Sequence, residues 1–224
     1  MAIIRGPKII KSGLVLALDA ADRNSYSGSG TTWRDLSGYN NNCTLVNSPT
    51  YNSSNGGGIV FNGTTQYGSI ANATSLNATT QTISVWYNTT NNLSGRASLV
   101  IGKTDAANSL NGYNLFADSS GQIKNATQTT NITGSTITNS IWFYVTMTFT
   151  SGGNSLIYIN GSLAATTSTI SFTIGSQPLR IGISQDTFWT AFAGRIAKID
   201  IYNRVLSAIE ISQNYNATKA RFGL

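Results

Sequence analysis

Short apolar segments, rich in β-branched and aromatic residues, recur along the whole chain between clusters of Gly, Asn and Ser. This pattern is typical of β-strands bounded by turns. It predicts strands at residues 14–18, 44–46, 59–61, 67–70, 83–87, 98–101, 113–117, 141–149, 156–159, 179–183 and 195–202. So many short strands separated by turns favour an all-β chain folded as a two-sheet antiparallel sandwich.

Two of these strands differ in how they distribute apolar side chains. In one, Val85 and Tyr87 alternate with Ser84 and Trp86, which predicts one face in the core and one in water. The strand at 195–202 keeps no single apolar face. It either contains a bulge or is covered on both sides, and the sequence leaves both interpretations open.

Two local signals mark a turn and a helix. Asn160-Gly161 separates two apolar runs, and both residues tolerate positive φ, so the pair predicts a type I′ hairpin. Ser207 and Glu210 have the spacing of a capping box. They predict a short C-terminal helix that starts after Ser207 and ends near residue 216 or 219.

The composition narrows the available chemistry. The chain has 224 residues, of which 40% are hydrophobic and only 10% charged, so Asn, Ser, Thr and Gly must form much of its surface. With no His, it cannot form a Ser-His-Asp triad, a Cys-His dyad or a His-ligated metal site. Its one cysteine, Cys43, excludes an internal disulfide and a Cys-rich metal site. We expect the Cys43 side chain to be buried.

The net charge is +6, and the basic residues are scattered except at the N-terminus. Arg5, Lys8 and Lys11 form the densest group, in an arm of residues 1–12 where Pro7 favours extended chain. We expect this arm to bind an acidic partner protein rather than nucleic acid. The arm either adds a strand to a neighbour's sheet or frays, and both interpretations stay open. No run resembles a signal peptide or a membrane span of roughly 20 apolar residues, so we expect no export by that route and no membrane partner.

Several segments, taken in order, resemble those of a known family. They are GLVLALDAA (13–21), TWRDLSG (32–38), IVFNG (59–63), TISVW (82–86), WFYV (142–145), YING (158–161), FAGRI (192–196) and IYNRVLS (201–207). Their order and spacing resemble concanavalin A-like, laminin-G-type jelly-roll domains over residues 13–224. The resemblance implies one jelly-roll domain after the arm, with roles in glycan binding or contact with other proteins.

The resemblance also implies a biological setting. The final segments YNA (215–217) and RFG (221–223) resemble the ending of copies in bacteriophage virion proteins. They imply a non-enzymatic protein at the virion surface, a capsid decoration or fibre-like appendage assembled in the host cytoplasm. Its partners would be a capsid or other virion protein and a host-surface glycan, and a homo-oligomer stays open. The alternative is a free-standing lectin module that recognises cell-surface polysaccharide.

Some positions depart from that family's pattern. Asn62 replaces the usual Asp, and Gln66 replaces an Asp or Asn. The loss of acidic positions puts a calcium site in doubt, because calcium takes six to eight oxygen ligands that include carboxylates. We expect no cofactor, although a single calcium ion held by Asp105, Asn108 and Asn111 stays open.

Two polar loops, residues 184–190 and 104–113, carry the residue types that bind sugars. Aromatic rings stack on the apolar face of a sugar, and amide or acid groups bind its hydroxyls. The candidate glycan-binding residues are Gln185, Asp186, Phe188 and Trp189 in the first loop and Asn111 and Tyr113 in the second. In the other interpretation, the aromatic residues of the first loop only cover the end of the sandwich.

The remaining acidic and aromatic residues have structural interpretations. A glucanase needs two or three carboxylates close together. Asp19 and Asp22 stand at a strand end, and Asp200 is the only acid of its strand, so we expect no enzymatic activity. Tryptophan is mostly buried in proteins. Apart from Trp189, the chain has three tryptophans, and we expect all of them in the core: Trp33, Trp86 and Trp142.

Overall fold

The computed structural model describes residues 7–90, 98–105, 111–118, 121–126, 131–185 and 190–224. With strands numbered in chain order, the first sheet has eight strands. Its order is β14 (Ser162–Ile170), β13 (Gly153–Ile159), β12 (Phe143–Thr150), β7 (Thr80–Thr89), β17 (Ala193–Tyr202), β5 (Gly58–Asn62) and β4 (Thr50–Asn52), and β1 (Leu14–Asp19) also pairs with β17.

The second sheet has nine strands. Its order is β11 (Asn131–Thr136), β10 (Gln122–Ala126), β9 (Gly112–Ala117), β8 (Ser98–Thr104), β15 (Leu179–Ile181), β6 (Tyr67–Ile70), β3 (Cys43–Val46) and β2 (Thr32–Trp33), and β16 (Thr190–Ala191) also pairs with β8. Helix α1 spans Ala208–Thr218, and 3-10 helices span Ser54–Gly56, Thr74–Leu76 and Lys219–Phe222. None of the described helices is long and apolar enough to span a membrane.

The fold is the two-sheet jelly-roll sandwich with a short C-terminal helix that the sequence predicts. All strand pairs are antiparallel except the short pair of β16 with β8. The apolar inner faces of the two sheets meet in one cluster, which includes Trp33 and Cys43, both fully buried. The expectation of a buried cysteine is confirmed, and burial raises the pKa of the Cys43 thiol to about 12.

The central strands of the first sheet, β7, β12 and β17, are buried on both faces, which corrects one prediction. The expected water-facing side of β7 is absent: Trp86, expected to be buried, lies in a second apolar cluster on the outer face of the sheet, and Ser84 on the same face is also buried. Helix α1 and the 3-10 helix after it cover this face with Ile211, Tyr215 and Phe222. The alternation along β7 therefore separates two cores rather than a core and a solvent face.

Strand β17 combines both interpretations that the sequence left open. Its register with β7 shifts between Ile196 and Lys198, as expected for a bulge. Most of the strand is also buried on both faces. On the edge away from β7, β5 pairs with Ala193–Ile196 and β1 pairs with the rest. One long strand thus joins two shorter partners.

The two local signals in the sequence are confirmed. Asn160 and Gly161 have φ of 51° and 80°, as the hairpin between β13 and β14 requires. At the start of α1, the Ser207 hydroxyl accepts a hydrogen bond from the Glu210 amide, and the Glu210 carboxylate accepts one from the Ser207 amide. Arg204 adds a bidentate contact to the same carboxylate at 2.6 and 2.9 Å.

This pairing predicts a pH dependence of stability. The Arg204 guanidinium lowers the pKa of Glu210 from 4.5 to about 2. The ion pair therefore contributes fully to the free energy of unfolding above pH 4.5, and this contribution is lost as the pH falls towards 2. Replacing Arg204 with Gln should lower the free energy of unfolding by about 0.5–1 kcal/mol at pH 7. Urea unfolding across a pH series should show this difference shrinking to zero at acid pH. A difference that stays constant down to pH 2 would contradict the assignment.

The described part of the N-terminal arm, from residue 7, is docked on α1 and β17. The Gln213 side chain donates to the Lys8 carbonyl at 2.7 Å, and the Ile10 amide donates to the Asn214 side chain at 2.8 Å. The Tyr202 hydroxyl donates to the Ile10 carbonyl at 3.0 Å. These bonds place residues 8–10 on their own domain, so neither a free strand nor a frayed end describes them.

Candidate functional site

A polar groove of about 600 Å³ lies beside β2, the edge strand of the second sheet. The loop between β1 and β2 forms one side, and β2 with the residues around it forms the other. The groove is lined by Arg23, Asn24, Ser25, Ser27, Ser29, Gly30, Thr31, Thr32 and Arg34. We call it the Arg23–Arg34 groove. Guanidinium, amide and hydroxyl groups dominate it, and the described lining residues include no carboxylate.

Buried Ser25 ties the loop to the strand. Its hydroxyl donates to the Arg34 carbonyl at 2.6 Å and accepts from the Asp19 amide at 3.1 Å. The Arg34 amide in turn donates to the Ser25 carbonyl at 2.7 Å. Asp22 begins the turn, because its carbonyl accepts from the amides of Ser25 and Tyr26. The backbone on both sides of the groove is therefore fixed before any ligand binds.

Arg23 crosses its own loop and donates to the Ser27 carbonyl. This path requires a glycine at position 28. Gly28 has φ of +100°, and an added Cβ would lie 2.8 Å from the Arg23 Nη1 atom. The glycine thus allows a guanidinium to close one side of the groove.

The Arg34 side chain is exposed and forms no hydrogen bond or ion pair with any residue that the structure describes. The carboxylates nearest Arg23 and Arg34 in sequence, Asp22 and Asp35, accept hydrogen bonds from other groups. Asp22 accepts from the amide and side chain of Asn24 at 2.9 and 3.0 Å. Asp35 accepts from the backbone amides of Ala17, Ser37 and Asn41 and from the Ser37 hydroxyl. Among the described residues, neither carboxylate forms an ion pair with Arg23 or Arg34, so the Arg34 guanidinium stays available to a ligand.

An aromatic cleft of about 360 Å³ lies on the other side of the same loop. Tyr26 and Tyr51 line it, with ring centroids 5.6 Å apart, and the Tyr26 hydroxyl donates to the Gly30 carbonyl at 3.1 Å. The two cavities share Ser29, Gly30 and Thr31. Polar groups beside a partly exposed aromatic ring are the combination that sugar binding uses.

The structure brings together the described ends of the two sequence-predicted loops. The Gln185 side chain donates to the Thr104 carbonyl at 3.0 Å and to the Pro178 carbonyl at 3.3 Å. The Asp105 amide donates to the Asn111 carbonyl at 3.0 Å. Gln185 therefore lies against the end of β8, where the first residues of the other loop begin. Asp186, Phe188 and Trp189, as well as Asn108 of the open calcium site, lie outside the described residues.

The expectation for Tyr113 is wrong. Its side chain is fully buried in the main core, and its hydroxyl donates to the Leu76 carbonyl at 3.1 Å. Burial raises the Tyr113 pKa above its ordinary range. The ring packs against Phe149 and has no surface to offer a sugar. The sequence showed Tyr113 at the end of a polar loop, but Tyr113 is on β9, and its ring faces the other sheet.

The other residues singled out in the sequence are the basic residues of the arm and the three tryptophans. Arg5 lies outside the described residues, whereas Lys8 and Lys11 are exposed on the docked arm. Trp33, Trp86 and Trp142 are buried, which confirms the expectation for them. Among the described residues, no three His, Cys, Asp or Glu side chains are grouped so that they could hold a metal ion. The Arg23–Arg34 groove was missed from sequence, although TWRD at 32–35 and SYSGSG at 25–30 mark its two sides.

A protein-family model decides the relationship. The model for the concanavalin A-like lectin/glucanases superfamily matches residues 62–212, two thirds of the chain. The chain belongs to this superfamily. The family resemblance seen in the sequence is therefore confirmed. No curated protein matches the chain.

Solved structures share the fold at low sequence identity. The binding domain of Paraclostridial Mosquitocidal Protein 1 has a TM-score of 0.73 and 18% identity, over 92% of this chain and 52% of that one. Domain 4 of an arabinanase from Geobacillus stearothermophilus, in complex with arabinotriose, has a TM-score of 0.69 and 16% identity, over 91% of this chain and 98% of that one. Trypanosoma rangeli sialidase in complex with sialic acid has a TM-score of 0.71 and 16% identity, over 93% of this chain and 33% of that one. This chain thus spans about half of the mosquitocidal binding domain and a third of the sialidase.

Because the superfamily's name includes glucanases, the arrangement of acids matters. Four described carboxylates lie in ion pairs of 2.6–2.7 Å: Asp19–Arg221, Asp118–Lys124, Asp200–Lys198 and Glu210–Arg204. Burial raises the pKa of Asp200, as a general acid requires. However, that side chain is only 2% exposed, on the covered outer face of the first sheet. Asp200 does not line the Arg23–Arg34 groove.

Proposed function

We propose that this chain is a non-enzymatic, lectin-like protein that binds glycans in the Arg23–Arg34 groove. The observation that carries the proposal is the groove itself, where hydroxyls, an amide and two guanidinium groups line a fixed cavity beside a tyrosine cleft. Related folds lend support, since they include an arabinanase domain with arabinotriose and a sialidase with sialic acid. The binding domain of a botulinum neurotoxin was likewise solved with SialylT.

The non-enzymatic part of the proposal rests on the acids. Glycoside hydrolysis uses two carboxyl groups that flank the scissile bond. The carboxylates nearest the groove in sequence, Asp22 and Asp35, are used to fix local backbone and side chains. Asp19 pairs with Arg221 at 2.6 Å. The groove therefore offers donors to a sugar rather than an acid and base.

We further propose that the chain is displayed at the surface of a phage virion, as a capsid decoration or fibre-like appendage. This setting rests on the whole-chain resemblance, including YNA at 215–217 and RFG at 221–223. The docked arm and α1 place exposed Lys8 and Lys11 at the outer face of the first sheet. Attachment to an acidic virion protein through that face would leave the groove at the second sheet's edge open to glycans. A free-standing lectin with the same groove is the alternative.

A glycan array tests the binding proposal. The purified, labelled chain should be retained on a defined subset of printed glycans, and an Arg23→Gln/Arg34→Gln variant should lose that retention. The matched control is Lys8→Gln/Lys11→Gln, which removes the same charge from the arm. Retention on no glycan would overturn the proposal, and equal loss in both variants would show nonspecific charge attraction.

Purified particles test the setting. For a phage that encodes this chain, mass spectrometry should detect it in stoichiometric amount, and electron microscopy should locate its copies on the shell or tail. Deleting residues 1–11, which include the exposed Lys8 and Lys11, should reduce incorporation, and unchanged incorporation would contradict attachment through the arm. Absence from the particles would contradict the virion proposal and leave the free-standing lectin.

A further inference from the structure

Resting on the proposed glycan binding, we propose that the Arg23–Arg34 groove selects glycans that carry an acidic group, a carboxylate or a sulfate. Arg34 would pair with the acid, while Arg23 and the hydroxyl groups of the loop would bind around it. The proposal names the class of ligand for this groove.

The first argument is the charge of the groove. Two arginines face a cavity whose described lining contains no acid. Their neighbours in sequence, Asp22 and Asp35, direct their carboxylates to the amides of Asn24 and of Ala17 and Asn41. A neutral glycan would leave the Arg34 guanidinium without an ion-pair partner. An acidic glycan would supply one.

The second argument is the state of Arg34. Its backbone is held by two hydrogen bonds to Ser25, at 2.7 and 2.6 Å, so the base of the side chain is fixed. Its guanidinium is exposed and has no partner among the described residues. A planar guanidinium presents five donors in a fork that matches a carboxylate or sulfate. By contrast, both terminal nitrogens of Arg204 and of Arg221 already donate hydrogen bonds within the chain.

The third argument is the remaining lining. Arg23 uses one nitrogen for the Ser27 carbonyl, which leaves other donors of the same group for a ligand. The hydroxyls of Ser29, Thr31 and Thr32 lie on exposed residues of the groove. Hydroxyls can donate to an anionic oxygen or accept from a sugar hydroxyl. The lining thus suits an acidic group attached to a sugar better than a free inorganic ion.

Titration of matched glycans tests this inference. The first set is lactose, 3′-sialyllactose and 3′-sulfolactose, which share a scaffold and differ in the acid. The second is a hyaluronan tetrasaccharide and its carboxyl-reduced form. A charge-assisted hydrogen bond contributes about 1.5–3 kcal/mol, so calorimetry should show acidic members bound roughly 10- to 100-fold more tightly than neutral ones. The sialyl and sulfo arms distinguish a carboxylate ligand from a sulfate.

The variant Arg34→Gln should remove the preference, because affinity for the acidic members should fall roughly 10- to 100-fold more than affinity for the neutral ones. The double variant Lys8→Gln/Lys11→Gln should keep the preference, although its net charge falls further. Equal binding of acidic and neutral members would overturn the inference and leave glycan binding standing. Binding of neither set, when the array retains neutral glycans, would also overturn it. An array without any retained glycan would instead remove the proposed function, and this inference with it.

Discussion

Replacing Trp86 with alanine should lower the free energy of unfolding by about 3–5 kcal/mol. The Trp86 side chain is fully buried on the outer face of the first sheet. It stacks on Phe222, with ring centroids 4.0 Å apart, and lies 5.9 Å from the Tyr215 ring. Its indole nitrogen donates to the Thr218 hydroxyl at 2.8 Å. The variant would open a cavity under the two C-terminal helices and leave the Thr218 hydroxyl without its indole donor.

Urea unfolding followed by circular dichroism measures this loss. The matched control is Ile209→Ala on α1, because Ile209 is 80% exposed and its truncation should change the free energy by less than about 0.5 kcal/mol. A Trp86→Ala loss of below about 1 kcal/mol would mean that α1 does not cover the sheet as described.

Replacing Lys198 with methionine should cost about 3–5 kcal/mol at neutral pH. The Lys198 ammonium lies 2.7 Å from the Asp200 carboxylate, and the two side chains are 7% and 2% exposed. Burial raises the pKa of Asp200, and Lys198 opposes that shift. The variant would therefore leave a buried carboxylate without its cation.

The pH dependence of this variant has a definite sign. Without Lys198, the folded-state pKa of Asp200 should rise further above its ordinary value of 3.8. The folded state then binds a proton that the unfolded state has already released, so the variant loses stability as the pH rises above about 4. Urea unfolding at several pH values should show the Lys198→Met deficit shrinking at acid pH.

A double variant completes the test. Lys198→Met/Asp200→Leu removes both charges and should recover most of the loss, because a buried ion pair can often be replaced by apolar residues at little cost. A single variant as stable as the wild type at pH 7 would contradict the assignment. So would a double variant that is no more stable than Lys198→Met alone, because the loss would then be one of packing.

The sequence predicted the fold well because strand patterns are local. Strands such as β6 and β9 were found within one or two residues of their ends. β10 and β11 were missed because QIKNA and NITGST are largely polar and carry few β-branched or aromatic residues in a row. β2, β4 and β16 have only two or three residues, too few to show a period.

The layer on the outer face of the first sheet was not predictable from strand alternation. Ser84 and Trp86 show the same alternation whether water or a helix covers them. Whether this face is buried depends on residues far along the chain, because Ile211 and Phe222 pack on it. Similarly, the sequence places Tyr113 at the start of the strand at 113–117, but its pattern does not say that the ring of this first residue faces the core.

The candidate site was harder to predict because it depends on tertiary contacts. Arg23 and Arg34 lie on different sides of a Ser- and Gly-rich loop, and neither belongs to a recognisable binding motif. Ser25 brings the two segments together through its bonds to Arg34. Which arginines are unpaired follows only from the positions of all the acids. The sequence could predict that the surface is polar and basic, but not where the charge is left free.

Nuclear magnetic resonance of the ¹⁵N-labelled chain tests the central claim most directly, because it shows where a glycan binds. The chain would be titrated with 3′-sialyllactose and with the hyaluronan tetrasaccharide at millimolar concentration. We predict that the largest shifts occur at amides of residues 23–34, with smaller shifts around Tyr51. Largest shifts in the 104–113 and 184–190 loops, or no shift with either glycan, would contradict the account.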